Sequence, residues 1–165
     1  MRGLLAALVL FAVMAPRPSS AAESVRLYAA GSLRAALTEI AQAFESREGV
    51  RVDGKFGPSG VLREEIAKGA PAEVFASANM EHPLSLSHGG KAGPVVLFAR
   101  NRLCALARPG FEVDPAKFVD RMLDPQVKLG TSTPKADPSG DYAWEVFRRI
   151  ERLRPGSFAM LDQRP

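Results

Sequence analysis

The sequence predicts an α/β protein with a mainly parallel sheet, and three observations carry that reading. Two short runs, Val25–Ala30 and Val50–Phe56, have strand character, and each passes through a glycine-bearing turn into a run with helical spacing. A third strand-like run, Glu73–Ser77, follows the second helix after the break Ala70-Pro71-Ala72. Strands separated by helices lie parallel, because the helix carries the chain back to the starting end of the sheet.

Each element has its own local reason. After Gly31, Ser32 stands where a helix N-cap belongs, and Leu33, Ala36, Leu37, Ile40 and Phe44 recur on one face up to Gly49. Gly57-Pro58-Ser59-Gly60 is a second turn with a capping serine. Val61, Leu62 and Ile66 form the next apolar face, and Gly69 stops it. Met80–His88 predicts a less regular helix, with Pro83 tolerated only in its first turn. Val95–Ala99 and Leu103–Ala107 are apolar runs expected to form a hairpin, or a strand pair crossing between two lobes. Ala116–Leu123 predicts a short amphipathic helix and Val127–Gly130 a strand. Ser139-Gly140 opens the last helix, whose stripe is Ala143, Phe147 and Ile150, with Val146 and Leu153 on the flank. Pro155-Gly156 ends it, and the tail 157–165 completes nothing recognisable.

Met1–Ala15 places one arginine before an apolar run too short to span a bilayer, and Ser20-Ala21-Ala22 supplies small residues for cleavage. Residues 1–22 therefore read as a cleaved secretory signal, and the mature protein is expected in the periplasm. Removing Arg2 and Arg17 from the 22 lysines and arginines leaves 20, which come close to balancing 18 acidic residues. The basic residues are scattered, so a nucleic-acid partner is not expected. Cys104 is the sole cysteine; within an apolar run it is expected to be a buried, inert thiol. His82 and His88 are expected to be solvated.

Ser32, Ser59 and Ser139 form the candidate site. Each is expected to follow a strand through a turn and to cap a helix. In an open parallel sheet such turns gather at the carboxyl ends of the strands, where ligands bind. Helix N-termini offer unpaired N–H groups to an anion, and hydroxyls add neutral donors, so no metal or cation is required.

The text of these segments has a family likeness. Tyr28-Ala-Ala-Gly-Ser-Leu-Arg-Ala-Ala-Leu37, Phe56-Gly-Pro-Ser-Gly60 and Lys68-Gly-Ala-Pro-Ala-Glu-Val-Phe-Ala-Ser-Ala78 resemble the periplasmic molybdate-binding proteins of ABC importers. Asp137-Pro-Ser-Gly-Asp-Tyr-Ala143 is similar to a further segment of that family. The resemblance implies a type II periplasmic binding fold of two lobes that close on molybdate or tungstate. It puts contacts on Ser32 and Ser59 from the first lobe (23–98) and on Ser139 from the second (99–165). It also implies delivery to an inner-membrane permease, no cofactor, no catalytic residue and a monomeric protein. Family members run on further, so the second lobe is expected to be incomplete and the chain truncated at its C-terminus. Glu73 and Asn79 replace the family's usual aspartates outside the contact set.

Other functions fit less well. A serine hydrolase would need a second glycine around Ser59, where Gly57-Pro58-Ser59-Gly60-Val61 has valine. Ser132-Thr-Pro-Lys135 spaces a serine and a lysine, but Pro134 prevents the helical turn that would join them. No Gly-Xaa-Gly-Xaa-Xaa-Gly supports a nucleotide site. A regulator's effector-binding lobe would need a DNA-binding helix pair and no secretory signal. The remaining alternatives are a protein for another small anion and a fragment that binds nothing.

Overall fold

The computed structural model describes residues 24–164; the signal expected over 1–22 lies outside them. The order is β1 (Ser24–Ala30), a 3-10 turn (Gly31–Leu33), α1 (Arg34–Glu48), β2 (Arg51–Gly57), α2 (Ser59–Ala67), β3 (Val74–Ala76) and α3 (Glu81–His88). A 3-10 turn (Pro115–Lys117), α4 (Phe118–Leu123), α5 (Pro138–Leu153) and α6 (Ser157–Asp162) follow. The α/β class holds. The three strands are parallel, in the order β2-β1-β3.

Register decides what the sheet presents. Ala30 of β1 lies opposite Gly57 of β2, and Ala29 lies opposite Ala76 of β3. The carboxyl ends are thus level, and Gly31-Ser32, Pro58-Ser59 and Ser77-Ala78 emerge side by side. Small residues let the central strand sit deep: Ala29 and Ala30 are buried. Leu27, Ala29 and Ala76 form the sheet core, flanked by Leu33, Leu37, Val52 and Phe56. Gly49 ends α1 in the left-handed conformation, φ +70°, and its N–H bonds the Glu45 carbonyl at 2.9 Å.

The second core belongs to the C-terminal helices. Met122, Phe147, Ile150 and Leu161 pack together, with Phe118, Leu129 and Trp144 against them. The expected α5 stripe is buried at Ala143, Phe147 and Ile150, while Leu153 is exposed. The residues past Gly156 are not structureless. They form α6, whose Leu161 is fully buried. Glu151 of α5 supplies the cap that sequence reading missed: its carboxylate accepts the N–H groups of Gly156 at 2.9 Å and Phe158 at 2.7 Å. Those bonds hold its pKa below the ordinary 4.5. Trp144 Nε1 donates to Asp162 at 2.7 Å, tying the far end of α6 to α5.

Several expectations fail for identifiable reasons. Val95–Ala99, Leu103–Ala107 and Val127–Gly130 form no strands, because no described strand pairs with them and an isolated strand leaves its backbone groups to water. Leu106 is 96% and Phe98 60% exposed. Cys104 lies on the same segment and is exposed, not buried. The α1 stripe meets a three-stranded sheet too narrow to cover it: Leu33 and Leu37 pack on the core, but Ile40 stays 60% exposed. His88 is exposed as expected, whereas His82 is buried in α3 and its Nε2 has no hydrogen-bond partner. Burial lowers its pKa, and the nearby Arg63 charge lowers it further.

Candidate functional site

The level strand ends build the floor of a cleft of about 510 Å³. Ser32, Ser59 and Ser139 all line it. The three elements that carry them are separated in sequence, so convergence is a product of the fold and not of local spacing.

Their local roles differ from simple capping. Ser32 sits inside the 3-10 turn, not at an N-cap. Leu33 takes the cap position of α1 and no side chain bonds there. Ser32 is consequently exposed to the cleft with no capping duty. Ser59 is the first residue of α2, with Pro58 before it as N-cap. It is almost fully buried, and its Oγ accepts the Ala78 N–H at 3.1 Å. Ser59 thereby joins the β2 and β3 turns. Ser139 is the second residue of α5; Asp137 is the N-cap.

Asp137 was not singled out by sequence reading, and it governs Ser139. Its Oδ1 accepts the Ser139 N–H at 2.9 Å and lies 2.7 Å from Ser139 Oγ. Ser139 Oγ is also 2.8 Å from Ser132 Oγ. One hydroxyl proton serves one acceptor, so the consistent arrangement has Ser132 donating to Ser139 and Ser139 donating to the carboxylate. The signal was present in the text: Asp-Pro-Ser is an N-cap followed by proline at the first helical position.

The cleft is also more charged than three neutral hydroxyls suggested. Arg34, Asn101, Arg102 and Asp137 line its wall. Arg34 stands 4.7 Å from the Phe56 ring centre and donates to the Phe56 carbonyl at 3.4 Å, which keeps it against β2. Asn101 and Arg102 arrive on the exposed connection between the two runs expected to form strands.

Two cross-links hold the α5 end of the cleft to the sheet end. The Gly60 N–H of α2 bonds the Ala136 carbonyl at 3.0 Å, and Tyr142 Oη donates to the Ala78 carbonyl at 2.9 Å. Burial raises the Tyr142 pKa, with Asp141 adding to it. The approach at Gly60 is close enough to require glycine: a Cβ there would lie 2.1 Å from the Lys135 carbonyl oxygen. Gly140 meets Ser132 the same way, at 2.3 Å.

The family described as bacterial extracellular solute-binding protein matches residues 25–164. The chain belongs to that family. Among curated relatives, a Pasteurella multocida protein without an assigned function is 37% identical over 85% of this chain and 58% of its own length. The molybdate-binding protein ModA of Rhodobacter capsulatus is 32% identical over 84% of this chain and 56% of its own. ModA of Mycobacterium tuberculosis is 31% identical over 73% and 50%. The chain thus spans about half the length of the curated relatives it matches. Among solved structures, the sulfate-binding protein SubI of Mycobacterium tuberculosis shares the fold, with a TM-score of 0.66 and 18% identity over 86% of this chain and 55% of that one.

Proposed function

We propose that this solute-binding protein captures a small tetrahedral oxyanion, molybdate or tungstate, in the periplasm and delivers it as a monomer to an inner-membrane ABC permease. The observation that carries the reading is the convergence of Ser32, Ser59 and Ser139 on one cleft. The molybdate-binding relatives supply the ligand. Residues 23–98 act as one lobe and 99–165 as part of a second, with the cleft between them. Ser32 and Ser59 donate from the first lobe, and Ser139 with its amide donates from the second in competition with Asp137, whose Oδ1 accepts from both groups. The α5 dipole adds favourable potential, and Arg34 and Arg102 draw the anion in. No bond is made or broken, so the protein acts as a carrier and needs no catalytic group or cofactor. Size and donor number select the ion, because a buried dianion is tolerated only where several donors share it.

Isothermal titration of the purified protein with molybdate, with sulfate and phosphate as controls, tests this reading. Molybdate binding is expected to weaken by roughly tenfold or more in Ser32→Ala and in Ser59→Ala, the value of one hydrogen bond to a charged acceptor. Folded protein that releases no heat with any of the three anions would overturn it.

A further inference from the structure

Asp137 occupies the donors that the proposed function assigns to the anion. Its Oδ1 takes both the N–H and the hydroxyl of Ser139, and Asp137 itself lines the cleft. A carboxylate accepts hydrogen bonds and donates none. A fully deprotonated oxyanion has the same limitation, so at Ser139 the two compete for the same protons and repel each other. An oxyanion that retains a proton meets a different wall. Its O–H can be given to a lone pair of Asp137, which turns a repulsive neighbour into an acceptor.

We propose that Asp137 is a specificity-determining residue of this cleft, which disfavours fully deprotonated oxyanions relative to those that carry a hydrogen. The proposal rests on the oxyanion reading and adds the order of preference within that class. Arg34 and Arg102 attract both kinds of anion by charge alone, so they do not make this distinction. Sulfate and phosphate are close in size and shape and differ in the proton, so together they isolate the role of Asp137. Molybdate and tungstate share the handicap of sulfate.

The test compares wild-type protein and Asp137→Asn by titration with sulfate, inorganic phosphate and molybdate, at one neutral pH and one ionic strength. Asparagine caps a helix as well as aspartate does, and Asp137→Ser is a second uncharged cap should the first variant melt early. The ratio of sulfate affinity to phosphate affinity is expected to rise at least about tenfold in the uncharged variants, with molybdate tightening alongside sulfate. An unchanged ratio, or one moving toward phosphate, would overturn the role of Asp137 while leaving the oxyanion site standing. Absence of binding by all three anions to every variant would overturn the oxyanion reading and this proposal together.

Discussion

Ser59 serves the fold with its lone pair and, on the proposed function, the ligand with its proton. Its Oγ accepts the Ala78 N–H while the residue is almost fully buried. Ser59→Ala should therefore cost about 1 kcal/mol of stability in chemical denaturation, in addition to the loss of anion affinity. Ser32 makes no such bond, so Ser32→Ala should weaken the anion and leave the denaturation midpoint in place. His82 makes a separate prediction at this scale. Its folded pKa is lowered from 6.5 by burial and by the Arg63 charge, which outweigh the opposing pull of the Glu81, Asp141 and Asp137 carboxylates. As pH falls below about 6.5, the unfolded chain takes up a proton that the fold resists, so stability is present above that pH and declines below it. Replacing His82 with glutamine should flatten the stability profile between neutral pH and pH 5, measured by urea midpoints across a pH series.

Among the elements, α2 and α5 decide the shape of the cleft, and both depend on a glycine that admits a neighbouring backbone. Gly60→Ala places a methyl against the carbonyls of Lys135 and Ala136. Alanine would favour an ordinary helix interior, but this clash reverses the sign, and we expect a loss of about 1–3 kcal/mol in thermal or urea unfolding. The first three strands and the α5 stripe were legible because periodicity and turn chemistry agree there: Val25–Ala30 ends at Gly31, and Phe147 and Ile150 recur on a face that another helix covers. Val95–Ala99 and Leu103–Ala107 misled because strand composition does not supply a partner, and pairing is a long-range property. His82 misled because a single side chain's burial depends on packing that no local window reports. The rule for parallel sheets accounts for Ser32 and Ser59, whereas Ser139 follows no described strand, and Arg34, Arg102 and Asp137 enter the cleft by tertiary placement. Only Asp137 left a local signal, as an N-cap before proline.

At the scale of the whole molecule, two cores meet at the cleft and are joined there by the Gly60–Ala136 and Tyr142–Ala78 hydrogen bonds. Between α3 and the Pro115–Lys117 turn the chain has no helix or strand, and it carries Lys91, Arg100 and Arg102 on an exposed path. Limited trypsin digestion should cut there first, since exposed backbone without ladder bonds opens most easily. Bound oxyanion should slow cleavage after Arg102, which lines the cleft, more than cleavage after Lys91. On the proposed function, two strand-to-helix turns and the N-terminus of α5 hold one anion, and anomalous diffraction at the tungsten edge from crystals grown with tungstate locates it. One dominant tungsten peak is expected within hydrogen-bonding reach of Ser32 Oγ, Ser59 Oγ and the Ser139 amide. A peak that touches none of the three, from protein shown by titration to bind tungstate, would contradict it.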